Sequence, residues 1–133
     1  MTAKIANISF DAADPYAQMK WWDQVLEDFN ELPGEDEPGD EECGLEGPDD
    51  TAVLFLKVPE GKTVKNRLHL CLVATDGNRD AEVDRLIGIG ATVVDDRRTP
   101  EGKGWVVFAD PEGNEFCLVR SRAEIEADQP VPA

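Results

Sequence analysis

The stretch Gly104-Trp105-Val106-Val107-Phe108-Ala109-Asp110-Pro111-Glu112-Gly113-Asn114-Glu115-Phe116-Cys117-Leu118 decides how this chain is read. Residues 105–109 and 115–120 are rich in β-branched and aromatic side chains, with Asp110-Pro111-Glu112-Gly113-Asn114 between them. Pro111 stands where a type I turn takes its proline, and Gly113 where a left-handed residue is needed. The stretch therefore reads as a β-hairpin.

Working outward, residues 67–73 (RLHLCLV) alternate as a strand. A helix is expected over 80–89, with Val83, Leu86, Ile87 and Gly90 on one side, then a strand over 91–95 and a turn over 99–103. The first half follows a similar order. Residues 4–10 (KIANISF) read as a strand, Asp14 offers an N-cap oxygen, and Pro15 suits the first helical position. Met19, Trp22, Val25, Leu26 and Phe29 then fall at helical spacing, and residues 51–58 (TAVLFLKV) form a further strand. Residues 59–65 are a connector. The tail, 123–133, reads as a short helix followed by disorder.

The two halves echo each other. Asn7-Ile8-Ser9-Phe10-Asp11-Ala12-Ala13-Asp14 runs parallel to His69-Leu70-Cys71-Leu72-Val73-Ala74-Thr75-Asp76, each a strand closed by Asp before a helix. Gly47-Pro48-Asp49-Asp50 precedes one hydrophobic strand as Asp110-Pro111-Glu112-Gly113 precedes another. Strand, Asp, helix, proline turn and strand recur in one order, the mark of an internal repeat.

At 133 residues the chain is long enough to bury one core without disulfides. Its 29 acids against 13 bases give a net charge of -16, unevenly spread. Ten of those acids lie between Glu31 and Asp50 with no Lys or Arg among them, so the remaining 19 against 13 leave about -6. Such a field disfavours phosphate backbones and anionic membranes and favours cationic ligands, which argues against nucleic-acid binding. The run itself reads as a mobile loop that holds one short strand near residues 43–46. Cys43, Cys71 and Cys117 are odd in number and show no C-x-x-C spacing, and no apolar run reaches the ~20 residues of a membrane span. The expectation is a reduced, cytoplasmic protein.

The hairpin stretch, Arg67-Leu68-His69-Leu70 and the helix exit Leu86-Ile87-Gly88-Ile89-Gly90-Ala91-Thr92 are similar to the second module of glyoxalase-like proteins. Asp14-Pro15 and Trp21-Trp22 are similar to the first helix of that group. The chain thus resembles the vicinal oxygen chelate superfamily of glyoxalases, bleomycin-resistance proteins and dioxygenases. The resemblance implies an α+β fold of two tandem βαβββ modules forming a cup-shaped mixed sheet with helices outside. It implies one glyoxalase-like domain over 1–122, with modules of about 3–58 and 66–121, an acidic loop of about 31–50, and a tail at 123–133. It also implies a homodimer. Metal-dependent members carry up to four His or Glu ligands, from the first and last strand of each module. His69 and Glu115 occupy the two second-module positions. Asn7 stands in place of the first-module His, and the remaining position falls near Ala52, or Leu54 if the turn differs in length.

Strand parity puts Asn7, Ser9 and Asp11 on one face, His69, Cys71 and Val73 on another, and Glu115, Cys117 and Val119 on a third. If these faces line one cup, the catalytic candidates are His69 and Glu115, and the substrate-binding candidates are Asn7, Ser9, Cys71, Trp105 and Cys117. The expected cofactor state is none. The alternative is one divalent metal (Zn, Ni, Mn or Fe) on His69 and Glu115, with the thiolates open to a softer ion. Each residue has a plainer reading. His69 serves as a cavity residue, Glu115 as the ion-pair partner of Arg67 or Arg120, Cys71 and Cys117 as small buried hydrophobes. Trp21 and Trp22 are helix packing, and Lys62, Lys65 and Arg67 form a solvated linker face.

Three functions stay open. One is an enzyme that moves a proton on a small carbonyl or hydroxy compound through His69 and Glu115. The second is a binding protein that sequesters a small, cationic or aromatic molecule without turnover. In the third, the acidic run docks a basic protein partner.

Overall fold

The structure is a computed structural model that describes residues 2–127. The chain divides into two compact units, Met1–Lys62 and Thr63–Ala133. The first contains β1 (Asn7–Ala12), α1 (Pro15–Asp23), β2 (Asn30–Glu31), β3 (Glu42–Glu46) and β4 (Ala52–Lys57). The second contains β5 (Leu70–Val73), α2 (Arg79–Gly88), β6 (Thr92–Asp96), β7 (Val106–Ala109), β8 (Glu115–Val119) and α3 (Arg122–Ala127).

Both units have the βαβββ order and the same sheet. The first sheet runs β1-β4-β3-β2 and the second β5-β8-β7-β6. In each, the opening strand lies parallel to the closing one, and the rest pair antiparallel. The turns that lead into the closing strands also match. The Gly47 amide donates to the Thr51 carbonyl at 2.9 Å, and the Asp110 amide to the Asn114 carbonyl at 2.8 Å. Gly113 has a φ of 89°, as the hairpin reading requires; Asp49 and Asp50 take positive φ in its counterpart.

Each unit buries one face of its sheet under its helix. In the first, Met19 and Trp22 of α1 share a core with Leu45, Val53 and Phe55. Phe10 stands 5.2 Å from Trp22 and 5.4 Å from Phe55, ring centre to ring centre. In the second, Val83 and Leu86 of α2 are buried with Val106, Phe108, Phe116 and Leu118. Phe108 and Phe116 are cross-strand partners stacked at 5.5 Å.

Several boundaries depart from the periodicity. Asp14 caps α1 as expected, accepting from the Ala17 amide at 3.2 Å. The helix stops at Asp23, however, and the stripe through Val25, Leu26 and Phe29 continues outside it. The amides of Gln24 and Val25 bond carbonyls three residues back, which tightens and ends the last turn. Phe29 packs over Gly47, where any side chain would meet its ring. In the second unit the cap is Asn78 rather than Asp76; Asp76 accepts instead from the Asn78 amide at 2.9 Å.

The acidic run is not one loop. Glu31 lies in β2, and β3 occupies an interior place in the first sheet. Asp36 accepts the Gly44 amide at 3.0 Å, and Asp40 the Glu37 amide at 2.9 Å. The charges lie on turns and on exposed strand positions, while Cys43 and Leu45 face the core and set the register. The strand expected over 67–73 begins only at Leu70, so His69 stands one residue before it. The tail forms α3; its expected disorder beyond residue 127 lies outside the described residues. Among the described residues, no helix is long and apolar enough to cross a membrane.

Gly104 has a φ of +84°, and a side chain there would collide with the Arg97 carbonyl. Gly39 has a φ of +93° and open space around it. Gly39→Ala should cost about 1–2 kcal/mol for the left-handed backbone alone. Gly104→Ala should cost about 1–3 kcal/mol beyond that, because backbone must move. Urea unfolding of the two variants checks the difference, and equal costs would refute it.

Candidate functional site

The site is built by register in the second sheet. Cys71 pairs with Cys117, Cys117 with Val107, and Val107 with Asp95, so one row of side chains crosses all four strands on a single face. Leu70, Leu72, Phe116, Leu118, Val106 and Phe108 have the opposite parity and the opposite face. Two residues along, Val119, Trp105 and Arg97 make a second row, fixed by the Arg97 amide donating to the Trp105 carbonyl at 2.8 Å. His69 and Glu115 stand one register step before the Leu70–Phe116 pair and begin a third. Together these rows line an open depression of about 510 Å³, with Lys65 at its edge.

Four predicted residues of the second unit, His69, Cys71, Cys117 and Glu115, are therefore brought to one depression, with Trp105 on its wall. The two predicted from the first half lie in the other unit. Asn7 and Ser9 are exposed on β1, where the Ser9 hydroxyl donates to Asn7 Oδ1 at 3.0 Å. In that sheet Asn7 pairs with Ala52, as His69 and Glu115 flank the equivalent parallel pair of the second. The positions that carry an imidazole and a carboxylate in one module carry an amide and a methyl in the other.

Three charged lining residues, Lys65, Asp95 and Arg97, are not among the site residues expected from the sequence. Lys65, a solvated linker residue by its sequence context, forms an ion pair with Glu115, whose side chain is only 15% exposed. The hydrogen bond to Glu115 holds the Lys65 ammonium above its ordinary pKa. The neighbouring Asn66 accepts the Glu115 amide at 3.2 Å, which fixes the connector against the start of β8. Asp95 and Arg97 were missed because a bulge lies between Val93 and Asp95. The extra residue returns Asp95 to the row of Val107, and alternation alone cannot reveal it. Asp95 and Arg97 pair at 3.5 Å, and the Arg97 guanidinium lies 5.7 Å from the Trp105 ring centre.

The lining thus balances Lys65 and Arg97 against Asp95 and Glu115. The charge expected to attract a cation belongs instead to the first unit's acidic run. Burial, followed by the adjacent Cys71, pushes the Cys117 thiol up and keeps it protonated. In the first unit Cys43 is pushed up to about 11, by burial and then by Asp36 and Asp40.

A polar brace holds the wall in place. Arg79 is 2% exposed and donates to the carbonyls of Lys103 at 3.2 Å and Gly104 at 2.8 Å, next to Trp105. Arg79 and Arg98 share the Asp80 carboxylate, and Arg98 also bonds Asp96 at 2.7 Å. In this network burial disfavours the Asp80 charge, but hydrogen bonds from Arg98 and Arg79 outweigh it and lower the pKa. This brace connects α2 to the loop that presents Arg97 and Trp105.

The glyoxalase-like domain family matches residues 7–119. The chain belongs to that family and hence to the vicinal oxygen chelate superfamily. Among solved structures it is similar to the fosfomycin resistance protein FosX of Mesorhizobium loti, with a TM-score of 0.63 and 19% identity, covering 96% of this chain and 99% of that one. It is similar to a glyoxalase/bleomycin resistance protein/dioxygenase family enzyme of Burkholderia phytofirmans, at 0.62 and 21%, covering 87% and 97%. A variant of FosX from Listeria monocytogenes, complexed with Mn(II) and dihydroxypropylphosphonic acid, aligns at 0.64 and 13%, covering 97% and 100%. At such identities these likenesses establish the fold. No curated protein matches the chain.

The hydrogen bonds from Arg98 lower the Asp96 pKa from 3.8 to about 2. A depressed carboxylate adds stability that is full above its unfolded value and is lost as the pH falls through the folded one. The stability margin of wild type over Asp96→Asn should therefore be constant above about pH 5 and shrink steadily from about pH 4 toward 2. Solvent screening limits it to about 1 kcal/mol at neutral pH. Urea unfolding across that range checks it; a margin that grows on acidification would contradict the brace.

Proposed function

We propose that this chain is a small-molecule binding protein of the glyoxalase-like class, its ligand seated in the depression of the second sheet and held without turnover. The observation that carries this reading is the form of the lining. Cys117, Val107 and Val119 make an apolar floor, the Arg97–Trp105 pair a flat wall, and the Lys65–Glu115 ion pair a polar end. A few placed polar groups around an apolar floor are the usual makings of a ligand site. With its charges balanced, the lining suits a planar, apolar-bodied molecule with a polar or zwitterionic head better than a bare cation.

The donor set supports binding over metal-assisted catalysis of the superfamily's kind. A hard divalent ion needs several oxygen or imidazole donors converging on it. Here Glu115 is engaged by Lys65, and the matched positions of the first module are Asn7 and Ala52. A second reading rests on His69 and Glu115 lining the same depression. There the carboxylate can accept a proton from a bound carbon or hydroxyl acid. The three cysteines are free, which supports a reducing, cytoplasmic setting. The proposal includes a homodimer, which sedimentation measures.

A thermal-shift screen of planar aromatic acids, amines and zwitterions against metal-free protein tests the reading. At least one class should raise the melting temperature, and Trp105→Ala should weaken that hit about tenfold or more. No response across the panel, or hits indifferent to Trp105→Ala, would overturn it. Conversion of a hit to product, lost in Glu115→Gln, would favour the catalytic reading.

A further inference from the structure

Where the sequence led to a cofactor-free chain or an ion on His69 and Glu115, with the thiolates open to a softer ion, we infer that His69, Cys71 and Cys117 together form a site for a soft or borderline metal ion, Zn(II) above others. The three donor atoms all lie within 4.8 Å of one another. Their proximity is a property of the backbone. Cys71 and Cys117 are direct partners on adjacent parallel strands, whose spacing is about 4.8 Å. His69, two residues before Cys71, has the same parity and opens on the same face.

A tetrahedral Zn(II) with Zn–S of about 2.3 Å and Zn–N of about 2.0–2.1 Å asks its donors to stand roughly 3.6–3.8 Å apart. The trio needs only a small inward rotation of side chains, two of which, His69 and Cys71, are exposed. Two thiolates and an imidazole select Zn(II) over Mn(II) or Mg(II), which prefer oxygen. Glu115, the carboxylate of the family position, falls outside the trio and pairs with Lys65. On binding, each thiol gives its proton to the buffer. Three protein ligands leave the fourth position facing the depression, open to water or to a donor atom of a bound molecule.

The Asp36, Asp40 and Cys43 group of the first unit does not compete: its carboxylates already accept backbone amides. The inference is independent of the small molecule proposed above, because its test reads the metal alone.

Reduced, metal-stripped protein is titrated with Co(II), then with Zn(II). One equivalent of Co(II) should produce thiolate-to-cobalt charge-transfer absorption and tetrahedral visible bands, which Zn(II) then bleaches. Cys71→Ser or Cys117→Ser should abolish the charge transfer. His69→Ala should weaken binding about tenfold or more, since even outer-shell losses cost that much. Glu115→Gln should keep the bands. In unmodified protein, one equivalent of Zn(II) should slow alkylation of Cys71, a readout that needs no variant to fold. No binding, binding that survives both serine variants, unprotected Cys71, or loss of the ion on Glu115→Gln alone would each overturn the site.

Discussion

The parallel pairing of β5 with β8, in the register that sets Cys71 against Cys117, is the constraint on which the site depends. Parallel neighbours at the two ends of one module need a long crossover, and α2, β6 and β7 supply it. With that register fixed, Phe116 and Leu118 must face the helix, and Glu115, Cys117 and Val119 must face the other way. The hydrophobic core and the functional face are thus two sides of one decision. A slip of one residue would bury Glu115 and Cys117 under Leu86 and expose two large apolar side chains. The stacked Phe108–Phe116 pair opposes such a slip.

The first module meets the same constraint with different side chains. Asn7 faces Ala52 in the register that His69 and Glu115 inherit in the second, and its core is aromatic, from Phe10, Trp22 and Phe55. One supersecondary unit, used twice, keeps its buried parity and varies its open face. The acidic run shows how far that freedom extends. Ten carboxylates are carried there on turns and exposed strand positions, while the buried Cys43 and Leu45 face the core. The donor chemistry of the second module diverges too. A carboxylate clamped by Lys65 and two adjoining thiols change which ion or ligand that face can attract.

Much of this was legible in the residues. The Pro111 and Gly113 turn, the Asp14 cap and the recurring order of strand, Asp, helix, proline turn and strand rest on local backbone chemistry or on period-two burial, while the βαβββ module itself came from the family resemblance and the short β2 was not read. Parity put His69 with Cys71 and Glu115 with Cys117; the parallel pairing of β5 with β8 is what brings the two pairs to one face. What the residues withheld was long-range. Nothing local tells that Lys65, fifty positions from Glu115, neutralises it. Nothing in the alternation of 92–96 announces the bulge that turns Asp95 inward. Asn78, two residues after Asp76, is the cap of α2, while Asp76 accepts the Asn78 amide ahead of the helix. Helix α1 was read too long because apolar spacing continues past its last hydrogen-bonded turn.

The register of the second sheet is open to direct measurement by nuclear magnetic resonance on isotope-labelled protein. Cross-strand contacts between backbone protons should join Cys71 to Cys117, Cys117 to Val107, and Val107 to Asp95, skipping Val94. Contacts that place Cys71 opposite Phe116 or Leu118 would put the imidazole, the carboxylate and the thiols on different faces, and would contradict the account at its root.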